Sequence, residues 1–178
     1  MTAEGSLETG ADTRGGLPLH VRCARESDAG PASEVTCRSI RELCAAEYRD
    51  DPLVLARWLA DKTPADFRRW IGRGDRSVCL AVRDDGAVAA VGMVAWRGEI
   101  VLNFVAPEAR FRGAGKALMA HMEAHLRQRG LDRAVLFSTH VAARLYRSLG
   151  YQEVGRHESR FGTLDIIGMA KRLGDGEG

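Results

Sequence analysis

A chain of 178 residues fits one domain by length and can bury a substantial core. Its formal net charge is only +2, with 26 Lys and Arg against 24 Asp and Glu, which gives no electrostatic basis for binding nucleic acid or an acidic membrane. At 45% hydrophobic and 28% charged residues it has the make-up of a soluble globular protein, and it holds no apolar run of membrane-spanning length.

Residues 1–16 are acidic, Gly-rich and poor in apolar residues. They lack the basic and apolar segments of a signal peptide and are expected to be a disordered tail, as are residues 174–178; one domain over residues 17–173 remains. Leu17 to Cys23 alternates as a first strand. Polar Glu26 to Gly30 turns into a helix over Ala32 to Tyr48, with Val35, Ile40 and Leu43 near helical spacing. Pro52 opens a short helix carrying Leu53, Leu55, Trp58 and Leu59, and Thr63-Pro64 reads as an N-cap and first helical position for another. That helix holds Phe67, Trp70 and Ile71 and ends near Gly72.

The period then changes from helix to strand. Ser77 to Val82, Ala87 to Trp96 and Glu99 to Val105, joined by Asp84-Asp85-Gly86 and Arg97-Gly98, read as an antiparallel meander. After Pro107 the helical period returns in Ala114, Leu118, Met122 and Leu126, stopped by Gly130. Ala134 to Ser138 is a strand, Val141 to Leu149 a helix, and Tyr151 to Gly155 and Leu164 to Met169 the last strands. The class is α/β (α+β): a mixed, mostly antiparallel sheet of about six or seven strands, flanked by helices and with one strand–helix–strand crossover.

Four cysteines, Cys23, Cys37, Cys44 and Cys79, form no CxxC pair, and no downstream His or Cys pair completes a zinc pattern. The sequence therefore predicts a reduced, cytoplasmic protein without a metal. His121 and His125 are four apart on a helix but have no evident third ligand, and they read as a solvated helix flank.

The chemistry is concentrated in Val105-Ala106-Pro107-Glu108-Ala109-Arg110-Phe111-Arg112-Gly113-Ala114-Gly115-Lys116-Ala117. A strand enters a loop with two glycines and two arginines, and the loop opens directly into a helix. The first helical N–H groups have no partner inside the helix, the dipole makes that end electropositive, and glycine lets a ligand approach the backbone. A pyrophosphate-binding loop is the expectation. The Walker pattern fails at Arg110 and Ala117, and the GxGxxG pattern lacks its third glycine. Arg/Gln-x-x-Gly-x-Gly/Ala after a strand is met by Arg110, Gly113 and Gly115.

That stretch resembles the coenzyme A pyrophosphate signature of the GNAT superfamily of acetyl-CoA-dependent N-acetyltransferases. A second stretch resembles the family's Asn-x-x-Ala-x-x-x-Tyr-x-x-x-Gly-Phe/Tyr, met by Ala142, Tyr146, Gly150 and Tyr151, with Thr139 where the family has Asn. The resemblance covers about Leu19 to Leu173 and is specific over Glu99 to Tyr151. It implies a GNAT fold and acetyl transfer from acetyl-CoA to a primary amine, on a small molecule or a peptide, by direct attack in a ternary complex with no metal. A non-catalytic acyl-CoA-binding or regulatory module, use of a longer acyl-CoA, and protein acetylation stay open, as does a homodimer.

By the same resemblance Glu99, eleven residues before Arg110, stands where GNAT histone acetyltransferases carry the general base; the other reading is a turn glutamate beside Arg97. Strand alternation groups Glu99 with Val101 and Asn103 on one face. Phe104 and Val105 map to the backbone that contacts pantetheine and the thioester carbonyl. Arg110, Phe111, Arg112, Gly113, Ala114, Gly115 and Lys116 map to the phosphate loop, and Thr139 and Ala142 to further cofactor contacts. Tyr146 resembles the acid that protonates the leaving thiolate, against a packing role beside Val141 and Leu149. Trp58, Phe67 and Trp70 either wall the acceptor site or fill the core.

Overall fold

The computed structural model describes residues 18–174; apart from Gly174, the expected tails lie outside the described residues. Seven strands among the described residues form one sheet. β1 (Leu19–Cys23), β2 (Arg76–Arg83), β3 (Val88–Ala95) and β4 (Glu99–Val105) are the expected antiparallel meander with one strand added at its edge. β2 and β3 are apolar on both faces and buried on both, the pattern of inner strands with layers above and below. A crossover through α5 (Ala114–Gln128) places β5 (Arg133–Ser138) parallel to β4. β7 (Ile166–Arg172) then inserts between β5 and β6 (Gln152–His157). Composition explains the insertion: β7 brings the apolar Ile166-Ile167-Gly168-Met169-Ala170 run, whereas β6 is polar and mostly exposed and takes the edge.

The helix expected over Ala32 to Tyr48 is two. α1 (Ala29–Leu43) starts three residues earlier and stops before Cys44, and α2 (Ala45–Tyr48) is a single turn ending in positive φ at Arg49 and Asp50. The break lets Ile40, Cys44 and Tyr48 close with Trp58 of α3 (Pro52–Leu59) into a second apolar cluster, with Phe104 and Phe161 packed against it. The Tyr48 hydroxyl donates to the Arg41 carbonyl at 3.0 Å and locks the turn. α4 (Pro64–Ile71) begins as the sequence predicts, with Thr63 and Asp66 forming a reciprocal capping box. α5 buries Leu118, Met119, Met122 and Leu126 in the main core, and α6 (His140–Ser148) leads into β6. No helix among the described residues is long and apolar enough to cross a membrane.

One turn ties the meander to the second half of the sheet. Gly98 has φ +92°, its carbonyl accepts from the Val135 N–H at 2.9 Å, and a Cβ there would lie 3.0 Å from the Arg133 carbonyl oxygen. Gly98→Ala should therefore cost about 1–2 kcal/mol. For a chain of this size that lowers the melting midpoint by roughly 2–8 °C. A melting curve superimposable on the parent's would show that the turn relaxes.

Candidate active site at the splayed sheet

β4 and β5 pair only at Glu99–Val135 and Ile100–Leu136; beyond Ile100 they diverge, and β4 loses its β5-side partner. This opens a groove in the middle of the sheet, walled by unpaired strand backbone. On the other side of β4 the register slips: Met93 pairs with Leu102 and Val94 with Ile100, so Val101 stands opposite no residue. The bulge corrects the alternation expected from sequence. Paired residues share a face, so Glu99 lies with Leu102 and Phe104, while Ile100, Asn103 and Val105 occupy the opposite face. The Phe104 face meets the second apolar cluster. The Asn103 face meets the start of α5, where a Cβ on Gly115 would be 3.2 Å from Val105 Cγ2 and 3.6 Å from Asn103 Oδ1.

The loop between β4 and α5 has the geometry of an anion cradle. Phe111 has φ +61° and Gly113 φ +86°, so the backbone alternates hands before the helix. The Ala117 N–H donates to the Gly113 carbonyl at 2.9 Å. The N–H groups of Ala114, Gly115 and Lys116 precede that bond and are left for a ligand. Arg110, Arg112 and Lys116 are exposed and make no ion pair among the described residues. The Phe111 ring is 90% exposed, with the Arg110 guanidinium 4.6 Å from its centre. Arg38 of α1 holds the loop through Glu108 at 3.0 Å.

Across the groove, Thr139 caps α6 by accepting from the Ala142 N–H at 3.3 Å, which orients the helix carrying Tyr146. Tyr146 is buried, and burial pushes its phenol up to about 12. The Asn103 amide, near the phenol but outside hydrogen-bonding geometry, acts in the opposite direction. Both polar atoms of that amide are buried without a hydrogen-bond partner, which leaves a donor and an acceptor free at this end of the groove. The structure thus brings the cradle, Val105, Asn103 and Tyr146 to one end of the groove. Glu99 lies at the other end of β4, roughly 20 Å from Val105 at strand spacing. Its carboxylate accepts from the Arg97 guanidinium, with Nε at 2.7 Å.

Sequence reasoning missed Glu47. It is buried in α2, and its carboxylate accepts from the Val141 N–H at 2.8 Å, at the N-terminus of α6, leaving its second oxygen unpartnered. Only the tertiary fold brings α2 to that helix end, so nothing local to Ala45–Tyr48 signals it. Trp58 stacks on Phe161 at 6.2 Å in the second cluster. Phe67 is fully buried in the main core with Trp70 edge-on at 4.9 Å. His140 is exposed. His121 and His125 are not a solvated flank: both are half-buried.

A sheet that parts in the middle, with an electropositive helix start at the gap, is an α/β arrangement able to receive an anion there. The chain belongs to the acetyltransferase (GNAT) family, whose model matches residues 38–151. Its fold is shared by a GCN5-related N-acetyltransferase structure from Rhodopseudomonas palustris, with TM-score 0.77 and 20% identity over 87% of this chain and 96% of that one. It is shared too by the PaiA N-acetyltransferase of Thermoplasma acidophilum, solved in complex with coenzyme A, with TM-score 0.75 and 17% identity over 88% and 99%. A mycothiol acetyltransferase of Thermobispora bispora is 46% identical over 57 residues, which span 30% of this chain but only 19% of that protein.

Proposed function

We propose that the protein transfers an acetyl group from acetyl-CoA to a primary amine by direct attack in a ternary complex. The observation that carries this reading is the Asn103 amide, buried and unpartnered between the free helix N–H groups and Tyr146. When bound, acetyl-CoA supplies the activated acetyl group. Ala114, Gly115 and Lys116 offer backbone N–H groups to its pyrophosphate, and Arg110, Arg112 and Lys116 offer charge. The exposed Phe111 ring offers a stacking surface, and the Thr139 hydroxyl, which spends only acceptor capacity on Ala142, keeps its proton to donate. The β4 backbone at Phe104 and Val105 holds the pantetheine arm and donates to the thioester carbonyl. The amine nitrogen bonds to the carbonyl carbon as the carbon–sulfur bond breaks; a chain of waters relays the amine proton toward Glu99 at the far end of β4, and Tyr146 gives a proton to sulfur. The products are an amide and a free thiol.

Calorimetric titration with acetyl-CoA tests the reading: micromolar binding, followed by thiol release with some amine, is expected. Binding without release from any amine would leave a non-catalytic acyl-CoA-binding module, and no binding to any acyl-CoA would end the proposal.

Glu99→Gln tests the base. Because Arg97 already neutralises the carboxylate, the expected loss of kcat is roughly tenfold at neutral pH, below the usual ~10²–10⁴ for acid–base groups. The deficit should shrink as pH approaches that of the free amine, since the substrate then arrives deprotonated. A loss that is flat with pH would make Glu99 a partner of Arg97 alone.

A further inference from the structure

Far from the groove, four side chains that sequence spacing keeps apart converge. Cys23 ends β1 and is the direct cross-strand partner of Cys79 on β2, so the two thiols share one face of the sheet. α5 crosses that face and presents His121 and His125, one helical turn apart, with ring centres 4.3 Å from each other. One ligand atom from each of the four residues lies within 4.8 Å of all the others. His121 Nε2 and His125 Nδ1 are both buried without a hydrogen-bond partner, which packing alone leaves unexplained.

We propose that Cys23, Cys79, His121 and His125 bind one Zn²⁺ as a closed structural site. Two thiolates and two imidazoles suit a borderline-soft ion that prefers tetrahedral geometry. Metal–sulfur and metal–nitrogen bonds of about 2.3 and 2.0–2.1 Å put tetrahedral ligand atoms roughly 3.3–3.8 Å apart. The cluster therefore reaches coordination geometry by small side-chain rotations. Two thiolates balance the charge of the ion. Four protein ligands leave no open position, which assigns a structural rather than a catalytic site. The Ser77 hydroxyl lies 3.5 Å from Cys23 Sγ and 3.6 Å from Cys79 Sγ, placed to support the sulfurs from outside the first ligand sphere. Cys23, Ser77 and His125 also line a surface pocket with Trp96 and Arg129, which gives the ion a path in. The site would pin edge strand β1 and its neighbour β2 to α5, the helix whose first turn forms the anion cradle. His121 is eight residues from Gly113, roughly 12 Å along the helix.

The test uses the full-length protein expressed with zinc and purified without chelators. Elemental analysis should find one zinc per chain, and cobalt substitution should give tetrahedral d–d absorption with a thiolate-to-metal charge-transfer band. Cys23→Ser and His125→Gln, at the more exposed ligand positions, should keep the circular dichroism of the parent. Each should weaken zinc binding, read by chelator competition, by more than the roughly 10–100-fold expected of Ser77→Ala. If the variants fail to fold, the zinc content and cobalt spectrum of the parent still decide. Three outcomes would overturn the site: a chain that takes up no zinc from excess, a Cys23–Cys79 disulfide found by mass spectrometry in its place, or a cobalt spectrum without thiolate bands. None of these readouts involves acetyl-CoA, so they stand apart from the acetyl-transfer reading.

Discussion

Gly113→Asp is expected to abolish acetyl-CoA binding, by at least about 100-fold in Kd, while the protein stays folded. Gly113 immediately precedes α5 at φ +86°, and a Cβ there would meet nothing within 4 Å, so the substitution has room. The conformational cost is about 1 kcal/mol, smaller for Asp and Asn than for other side chains because both tolerate the left-handed region. What changes is charge. A carboxylate would sit beside the free N–H groups of Ala114, Gly115 and Lys116, where the proposed pyrophosphate lies. It would occupy those donors and repel the ligand. An exposed, screened pair of like charges loses little, but an anion competing for the same donors loses the binding site itself. Gly113→Asn separates the effects, since it carries the same shape and backbone preference without the charge. The expected order in calorimetry is parent, then Asn weaker by a few-fold, then Asp with no measurable heat. Asn and Asp equally impaired would mean that loop geometry dominates; Asp equal to parent would remove the cradle from the cofactor site.

The cradle was legible because its chemistry is local. Strand, glycine and helix start follow one another within Val105 to Ala117, and each physical step needs only neighbours in sequence. The N-cap at Thr63 and the stop at Gly130 were readable for the same reason. Features that depend on two distant segments were not. The bulge at Val101 shows no turn residue or breaker, so alternation carried Glu99 onto the wrong face relative to Asn103. The place of β7 inside the sheet depends on comparing two strands for burial, although the polar composition of β6 held the clue. Glu47 and the Cys23–Cys79–His121–His125 cluster come from pairings of β1 with β2 and of helices with strands, across sequence gaps that no short motif spans. Zinc patterns with close ligand spacing, the kind sequence reading looks for, are a subset of what a sheet and a helix can assemble.

Tyr146→Phe is expected to lower turnover by about 10²-fold or more while leaving acetyl-CoA affinity within a few-fold. The phenol is buried, and its hydroxyl lies near an amide that has no hydrogen-bond partner. Its raised pKa bears on the role. A proton passing from a phenol near 12 to a thiolate of ordinary basicity, about 8.5, climbs roughly 5 kcal/mol. Burial raises a thiol in the same way: Cys44, in the second apolar cluster and close enough to act on Tyr146, is pushed up to about 12. A thiolate leaving into surroundings as dry as those of Cys44 would become a base of matching strength, and the transfer would then be close to level. Matching, rather than a low phenol pKa, is what the proposed acid role of Tyr146 requires. Two consequences distinguish this from packing. The phenol stays protonated through the neutral and mildly alkaline range, so the parent should show no alkaline loss of kcat from Tyr146 below about pH 11. And the deficit of Tyr146→Phe should shrink with acyl donors whose leaving thiol is more acidic, because such a thiolate departs without a proton. A uniform deficit across leaving groups, or none, would return Tyr146 to the core beside Tyr151, whose ring stands 6.0 Å away at a steep angle.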